Sequence, residues 1–461
     1  MTSRDARLWF EVALLPSGWA RSVRVRVRDG WIAEVEHDVT ASDDDERHHA
    51  IALPGLANVH SHGFQRAMAG LTGQRGPEND NFWTWREVMY HFVGRLGPDD
   101  VQAISALAFV EMLESGFTRV GEFHYVHHAV DGRPYDDVGE LAAQVVAAAE
   151  QTGIGLTLLP VFYAHASFGE LPPSPGQRRF VCGLDDFERL LDAAEQHARR
   201  LPDAVVGVAP HSLRAVNPRE LAAVAALRPH APLHIHAAEQ VREVEDCVAW
   251  SGQRPVAWLL DHADVDARWC LVHATHIDDA EIRGIVDRGA VVGLCPVTES
   301  DLGDGIFPAL PYTARGGRFG IGTDSNVMID AAVELRTLEY GQRLLHRSRN
   351  VLASRTGAST GRTLFDAALA GGAQAVGRRA SGPTGISPGE PADVFTLDPT
   401  HVGLIGRSGD AILDSWIFGT RSSPVDRVWR HGHCVVRRGR HVARDAVESR
   451  FKVAVQRLAS N

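Results

Sequence analysis

Apolar and polar positions alternate in two different ways along this chain, and each way predicts a different element. Between residues 51 and 376, short continuous apolar runs are separated by longer stretches rich in Ala, Leu, Glu and Arg. Continuous apolar runs are typical of parallel strands buried on both faces, and the stretches between them are typical of helices. The runs are 53–59, 118–123, 155–161, 205–209, 232–235, 269–272, 290–294 and 318–322. Eight such units predict an α/β protein built on a (β/α)8 TIM-like barrel.

Both ends of the chain carry a shorter, alternating pattern. Valines and arginines alternate over residues 23–28, which predicts a half-buried strand, and similar patterns return at 392–397 and 425–436. We therefore predict one small β domain built from both termini, with the barrel inserted between them. The predicted division is 1–50 with 385–445 for a small β-sandwich, 51–384 for the barrel, and 446–461 for a helical C-terminal tail.

Composition excludes several kinds of partner. The chain has 461 residues and a net charge of -11, which gives no support for binding to nucleic acid or to acidic membranes. The sequence contains neither 18 uninterrupted apolar residues nor the pattern of a signal peptide. Five cysteines without a C-x-x-C pair are typical of buried thiols in a reducing compartment, so we expect a cytoplasmic protein.

Lysine is almost absent. Lys452 is the only one, so 46 of the 47 basic side chains are arginines. A single lysine so close to the C-terminus is not expected to serve as a P-loop lysine, a Schiff-base lysine or a general base. These chemistries are therefore excluded for the predicted barrel.

Four of the predicted strands end in histidine or aspartate. His60 and His62 are two residues apart, so their imidazoles face the same side at the end of the first strand. His236 ends the fifth strand, His273 the sixth and Asp324 the eighth. The carboxyl ends of barrel strands meet at one face, where barrel enzymes carry their catalytic groups. Imidazoles and a carboxylate around a position open to water predict a mononuclear zinc-type hydrolytic site, and iron or manganese accepts the same ligands.

Glu239 follows His236 by three residues. A carboxyl group one short turn beyond a metal ligand can reach the substrate atom opposite the water, and burial raises its pKa toward that of a proton donor. The alternative is an ordinary acidic residue at a helix N-terminus, but the surrounding ligands favour catalysis. Another H-x-H pair, His431 and His433, lies outside the barrel, and we interpret these two as surface residues.

The pattern H-x-H, H-x-x-E, His and Asp after strands one, five, six and eight resembles the amidohydrolase superfamily. Within it, the pattern is similar to the aminohydrolase branch, which uses one metal; other branches bridge two metals through a carboxylated lysine, which this barrel lacks. Over nearly its whole length the chain resembles the formimidoylglutamate deiminases of histidine degradation. The segments that carry this resemblance are 53–70, 121–125, 209–214, 322–326 and 334–343.

The resemblance implies hydrolysis of N-formimidoyl-L-glutamate to N-formyl-L-glutamate and ammonia, by a protein that is commonly a homodimer. In the catalytic roles it implies, Glu239 donates a proton, His273 orients the attacking water and Asp324 accepts the proton of that water. It also implies one divalent metal per subunit, most simply zinc with iron as the alternative, on His60, His62, His236 and Asp324.

The implied substrate is a small acidic amidine with two carboxylates, which guanidinium and hydroxyl groups bind well. One departure from the family pattern is Asn326, where many relatives carry His, so hydrogen bonding beside Asp324 is expected to differ. The predicted substrate-binding residues are Gln65, Arg86, Tyr125, His211 and Arg214.

Three other functions stay open at this point. An aminohydrolase acting on a guanine-like or adenosine-like ring would keep the metal ligands but favour aromatic and amide contacts over arginines. Another acidic formimidoyl compound, such as the aspartate analogue, would change only the length of the pocket. A non-catalytic metal-binding protein is the third, and the presence of candidate acid and base groups argues against it.

Overall fold

In the computed structural model, which describes residues 5–76, 80–378 and 384–460, the strands separate into two sheets. One sheet is parallel and comes from the middle of the chain, and the other is mainly antiparallel and comes from both ends. The strands are β1 (Ala6–Leu15), β2 (Gly18–Arg28), β3 (Trp31–Glu36), β4 (Glu46–Pro54), β5 (Leu56–Ser61), β6 (Phe117–His124), β7 (Gly155–Phe162), β8 (Val205–Val206), β9 (Ala209–Pro210), β10 (Leu233–Ala237), β11 (Trp269–His273), β12 (Val291–Leu294), β13 (Arg318–Ile321), β14 (Val394–Leu397), β15 (Val425–Arg430), β16 (His433–Arg437) and β17 (Arg440–His441).

The parallel sheet is the predicted barrel. Its strands pair in the order β10-β11-β12-β13-β5-β6-β7-β8, and β9 pairs with β7. Bridges from Val208 to Leu233 and from Ser212 to His236 join the region around β9 to β10, so the curled sheet returns to its first strand. The prediction of a (β/α)8 fold with a separate sheet from both termini is confirmed.

The fourth barrel strand differs from the predicted continuous run over 205–209. It is split into β8 and β9 around Gly207, where an added Cβ would lie 2.5 Å from the Pro232 carbonyl oxygen and 2.6 Å from Leu159. The backbone therefore passes its neighbours too closely for any side chain. An apolar run predicts that a segment is buried. It does not show where the hydrogen bonding of a strand to its neighbours is interrupted.

Helices cover the outside of the barrel. Small residues let them approach closely: a Cβ added at Gly371 would lie 2.0 Å from the Phe319 carbonyl oxygen on β13. Among the described residues, no helix combines the length and apolar character needed to cross a membrane. The helices are α1 (Phe82–Val93), α2 (Pro98–Glu114), α3 (Glu140–Thr152), α4 (Leu184–Ala198), α5 (Pro218–Leu227), α6 (Val241–Ser251), α7 (Pro255–His262), α8 (Asp279–Arg288), α9 (Pro296–Leu302), α10 (Ala309–Ala314), α11 (Ala331–His346), α12 (Thr360–Ala375), α13 (Ala411–Gly419) and α14 (Arg444–Ala459), with short 3-10 turns at Gly63–Met68 and Pro175–Gln177.

The terminal strands form one sheet in the order β17-β16-β15-β14-β4-β1-β2-β3. Alternate residues of β1 and β2, such as Leu8, Phe10 and Val25, pack with Val394 and Trp429 into an apolar core of their own. Strand β4 belongs to this sheet and extends past residue 50, which is the predicted limit of the small domain. Helix α14 lies in the C-terminal tail.

A buried ion cluster joins the two sheets. Asp203, just before β8, accepts hydrogen bonds from Arg119 of β6 and, at 2.9 and 3.0 Å, from Arg430 of β15. Arg430 also donates to Asp393 at 2.6 Å. Burial opposes ionisation of Asp203, but the two guanidinium groups hold its pKa well below the usual range. These charges are stable in the interior because each faces an opposite charge.

The same cluster corrects one expectation. His431 is not a surface residue, because its Nε2 atom lies 3.3 Å from Asp203 and its ring packs edge-on against Trp31. His433, two residues on, is exposed as expected. The sequence alone does not show that a residue in the turn before β16 and the first residue of that strand face different environments.

Candidate active site

The structure brings the predicted strand-end residues together at the carboxyl end of the barrel. His60 lies near the end of β5 and His62 directly follows it, His236 lies on β10, His273 is the last residue of β11, and Asp324 follows β13. All five side chains are buried. Ligand atoms of His60, His62 and Asp324 lie within 4.8 Å of one another, and so do those of His60, His236 and His273.

Backbone carbonyls hold two of these imidazoles in one tautomer. The Nδ1 atom of His62 donates to the Phe123 carbonyl at 2.9 Å, and that of His236 donates to the His211 carbonyl at 3.0 Å. A carbonyl oxygen can only accept, so each ring keeps a lone pair on Nε2. These lone pairs point to the centre of the site, where His236 Nε2 lies 3.0 Å from the Nε2 atom of His60.

The charges at the centre suit a cation. Burial lowers the pKa of His60 to about 3 and also lowers the pKa values of His62 and His236, so these rings are neutral. Burial opposes ionisation of Asp324, but a hydrogen bond with His60 and the nearby positive charge of His273 hold its pKa well below the usual range. Neutral imidazoles with free lone pairs, beside a carboxylate, are the state that a divalent metal requires of its ligands. The residues present therefore fit such an ion.

Glu239 and His273 stand beside this centre. His273 Nε2 lies 3.7 Å from Glu239 Oε1 and 3.9 Å from Asp324 Oδ2. Burial lowers the pKa of His273, but Glu239, Glu299 and Asp324 together outweigh it and raise that pKa to about 10. Burial raises the pKa of Glu239 to about 7, against the opposing charges of His273 and Arg214. A carboxyl group that titrates near neutral pH can both donate and recover a proton there.

Two site residues were not predicted from the sequence. Glu299 on α9 accepts from the His273 Nδ1 atom at 3.2 Å and from the Cys295 backbone at 2.9 Å. The Cys295 side chain lies in a group with His273 and Asp324, and burial keeps the pKa of its thiol well above the usual range. Cys295 follows the seventh apolar run directly, so its strand-end position could have identified it. Glu299 lies inside a helix, where the sequence gives no such indication.

Backbone strain concentrates around the same strand ends. Five non-glycine residues there adopt left-handed φ values between 43° and 69°: Ala238, His273, Ala274, Asp324 and Asn326. This conformation is unfavourable for residues with a Cβ, and it is typical of functional sites when the surrounding structure enforces it.

Asn326 is one of the groups that enforce it. Its Nδ2 atom donates to the carbonyl oxygens of His62 and Asp324, both at 3.0 Å, and to Ser61 Oγ at 3.1 Å. The amide thereby ties the loop after β13 to the end of β5. An asparagine at this position thus binds backbone groups next to the candidate ligands.

The predicted substrate-binding residues line one pocket above the centre: Gln65, Arg86, Tyr125, His211 and Arg214. Gln65 donates to the Tyr125 hydroxyl at 2.8 Å, while its Oε1 atom and the Nε atom of Arg86 are buried without a hydrogen-bond partner among the described residues. Arg214 Nη2 lies 3.9 Å from Glu239 Oε2. The pocket therefore holds two guanidinium groups, and that of Arg214 lies close to the candidate proton donor.

Aromatic side chains form the outer wall of this pocket. Phe82 and Trp85 of α1 line it. The Trp83 ring lies 4.6 Å from the Arg86 guanidinium and 5.6 Å from that of Arg214. These cation–π contacts hold the arginines in place while leaving their hydrogen-bonding edges available.

A barrel with these strand-end groups, which fit one divalent cation beside a proton-donating carboxyl group, defines the class of metal-dependent barrel hydrolases. Comparison with known families agrees: residues 51–435 match the amidohydrolase family, and residues 9–49 match the N-terminal domain of the formimidoylglutamate deiminase HutF. The chain therefore belongs to the amidohydrolase family, whose members are metal-dependent, and the resemblance found in the sequence is confirmed.

Individual relatives extend this result. A formimidoylglutamate deiminase of Pseudomonas aeruginosa is 50% identical over 444 residues, covering 95% of this chain and 96% of that protein. An 8-oxoguanine deaminase of the same organism is 29% identical over 375 residues, covering 78% and 77%. The crystal structure of an amidohydrolase from Brucella melitensis superimposes with a TM-score of 0.94 at 51% identity, over 98% of this chain and 100% of that one.

Metal content tests the assignment of ligands. Replacing His62 with Ala removes one lone pair from the centre, so the variant is expected to bind divalent metal at least about tenfold more weakly. Metal bound after dialysis against a weak chelator can be measured by inductively coupled plasma mass spectrometry. The control is His433→Ala, which removes an exposed histidine from another H-x-H pair and should leave metal content unchanged. Equal metal contents in the two variants would contradict the assignment.

Proposed function

We propose that this protein hydrolyses N-formimidoyl-L-glutamate to N-formyl-L-glutamate and ammonia, a step of histidine degradation. The observation that carries the proposal is one pocket that combines a His and Asp centre with two guanidinium groups, those of Arg86 and Arg214. The 50% identity to the Pseudomonas aeruginosa formimidoylglutamate deiminase supports it, and so does the match of residues 9–49 to the N-terminal domain of such enzymes.

The proposed cofactor is one divalent metal per subunit, held by His60, His62, His236 and Asp324. Zinc is favoured because imidazole nitrogens and carboxylate oxygens are among its usual ligands, and iron is the alternative. When bound, such an ion supplies Lewis acidity that activates water at neutral pH.

The proton transfers are assigned to three side chains. Asp324 accepts a proton from the attacking water, and His273, held by Glu299, orients that water through Nε2. As the water oxygen bonds to the formimidoyl carbon, Glu239 donates its proton to the imine nitrogen. The proton on Asp324 then passes to the same nitrogen, Glu239 recovers a proton from the hydroxyl group of the tetrahedral intermediate as the carbon–nitrogen bond breaks, and ammonia leaves.

Arg86 and Arg214 are proposed to bind the two carboxylates of the substrate, with Gln65, Tyr125 and His211 as polar contacts. Burial and the nearby Arg214 keep the pKa of His211 well below its usual value, so this ring is neutral and adds no further positive charge. A neutral ring of guanine type would leave both guanidinium groups unpaired, which disfavours it as a substrate.

We also propose a cellular location and an oligomeric state. A cytoplasmic location agrees with the four buried free cysteines and the half-buried Cys434. The proposal that the protein forms a homodimer rests on its resemblance to relatives. The proposed domain limits are 1–50 with 385–445, 51–384 and 446–461; the separation into two sheets supports them, and β4 crosses the limit at residue 50.

A substrate panel tests the function directly. The metal-loaded protein is expected to release ammonia from formimidoylglutamate with a kcat/KM at least about 100-fold above those for formimidoylaspartate and guanine, because only the first places both carboxylates correctly. Ammonia can be measured with a coupled glutamate dehydrogenase assay. Preference for guanine would favour a ring deaminase, and the absence of turnover with all three would favour a binding protein.

The proton donor is tested by Glu239→Gln. The amide has the shape of the carboxyl group but cannot donate the proton, so kcat is expected to fall by roughly 100-fold to 10,000-fold. Metal content and thermal stability should stay at wild-type values. Full activity in this variant would remove Glu239 from the mechanism.

The acidic substrate is tested by Arg214→Gln. Loss of one guanidinium group is expected to raise KM for formimidoylglutamate by about tenfold or more, since a charged hydrogen bond to a carboxylate is lost. Arg219→Gln is the matched control, because Arg219 lies five residues away on the exposed face of α5. Similar KM values for both variants would show that Arg214 does not bind the substrate.

A further inference from the structure

Glu243 is a buried carboxylate to which no role has been given above. It lies in the first turn of α6, and its side chain is inaccessible to solvent. Its Oε1 atom accepts from the Ala238 backbone at 3.3 Å, and its Oε2 atom accepts from the Glu239 backbone at 3.1 Å. Both oxygens of one side chain therefore hold the short turn that leads from β10 into α6.

This turn needs such support. Ala238 has a φ of 52°, in the left-handed region that residues with a Cβ avoid. The turn also separates the candidate metal ligand His236 from the candidate proton donor Glu239, so any relaxation of it would move one group relative to the other. Hydrogen bonds from backbone N–H groups to an ionised carboxylate are among the stronger ones in proteins.

The charge of Glu243 also acts on the neighbouring pocket. Burial opposes the charge of Arg214, but the carboxylates of Glu243 and Glu239 outweigh this effect and raise the pKa of Arg214. Glu243 therefore lies close to both the candidate proton donor and the candidate substrate-binding arginine. Its hydrogen bonds to the backbone of Ala238 and Glu239 show that it holds the proton donor rather than the arginine.

We propose that Glu243 is a positioning residue for the reaction, which fixes the backbone of Glu239 so that its carboxyl group stays beside His273 and the substrate. This inference rests on the proposed function, in which Glu239 donates a proton. It assigns Glu243 no contact with the substrate and predicts an effect on kcat more than on KM.

Helix α8 supplies a matched control. Glu281 also lies in the first turn of its helix, is buried, and accepts from two backbone N–H groups, those of Asp278 at 2.8 Å and Ala257 at 3.1 Å, and in addition from Arg254 Nε at 3.0 Å. It differs in its location, because the turn that it holds carries no candidate site residue. Removing Glu281 therefore reproduces the loss of a buried carboxylate without disturbing Glu239.

The experiment compares Ala and Gln substitutions at both positions in metal-loaded protein. Glu243→Ala is expected to lower kcat for formimidoylglutamate by roughly 100-fold, as misplacement of a reacting group by about 1 Å does, with KM changed less than about threefold. Glu243→Gln keeps one carbonyl acceptor and should recover about a tenth of wild-type kcat. The Glu281 variants should lose thermal stability but keep kcat within about twofold.

Two kinetic results would overturn the proposal: a kcat for both Glu243 variants like that of the Glu281 variants, or a loss confined to KM, which would assign Glu243 to Arg214. If Glu243→Ala does not fold, the Gln variant decides by the same criteria. Lack of turnover by the wild-type protein would refute the proposed function instead. Crystal structures of the wild-type protein and Glu243→Gln then test the position of Glu239 independently of activity. The same position of the Glu239 backbone in both structures would refute the proposal.

Discussion

The site depends on how buried lone pairs that face one another are kept from repelling one another. Ligand atoms of His60, His62 and Asp324 lie within 4.8 Å of one another, as do those of His60, His236 and His273, and all of these side chains are buried. Protonating the imidazoles would relieve the repulsion, but burial favours their neutral form. The remaining solution is a cation at the centre, and the backbone hydrogen bonds to the outer ring nitrogens set each ring in the orientation that such an ion requires.

This constraint is linked to the closure of the barrel. The His211 carbonyl accepts both the backbone N–H of His236 and its ring Nδ1–H, each at 3.0 Å. One oxygen therefore joins the fourth strand region to β10 and fixes the tautomer of a candidate ligand. The break at Gly207 brings the chain to this position, because β9 pairs with β7 on one side and meets β10 on the other. The irregular strand is thus part of the site.

The sequence predicted the parts of this structure that follow from periodicity. Apolar runs located the barrel strands, and the polar residue that ended each run located His60, His62, His236, His273 and Asp324. Groups that act through the three-dimensional path of the chain were not predictable in this way. Glu243 and Glu299 lie inside helices, where an acidic residue in the first turn is common for reasons of helix stability alone. The left-handed backbone at Ala238 was not predictable either, because alanine usually indicates a regular helix.

Charge is distributed unevenly across the pocket, and this orients the proposed substrate. Carboxylates surround the candidate metal centre, whereas guanidinium groups stand at the other side, where Arg214 stays charged although it is buried. Arginine suits this position better than lysine, because a buried lysine loses its proton readily and a guanidinium group does not. A molecule with an amidine at one end and carboxylates at the other matches both sides at once. In the reversed orientation the amidine would lie against Arg214, and both guanidinium groups would lose their carboxylate partners.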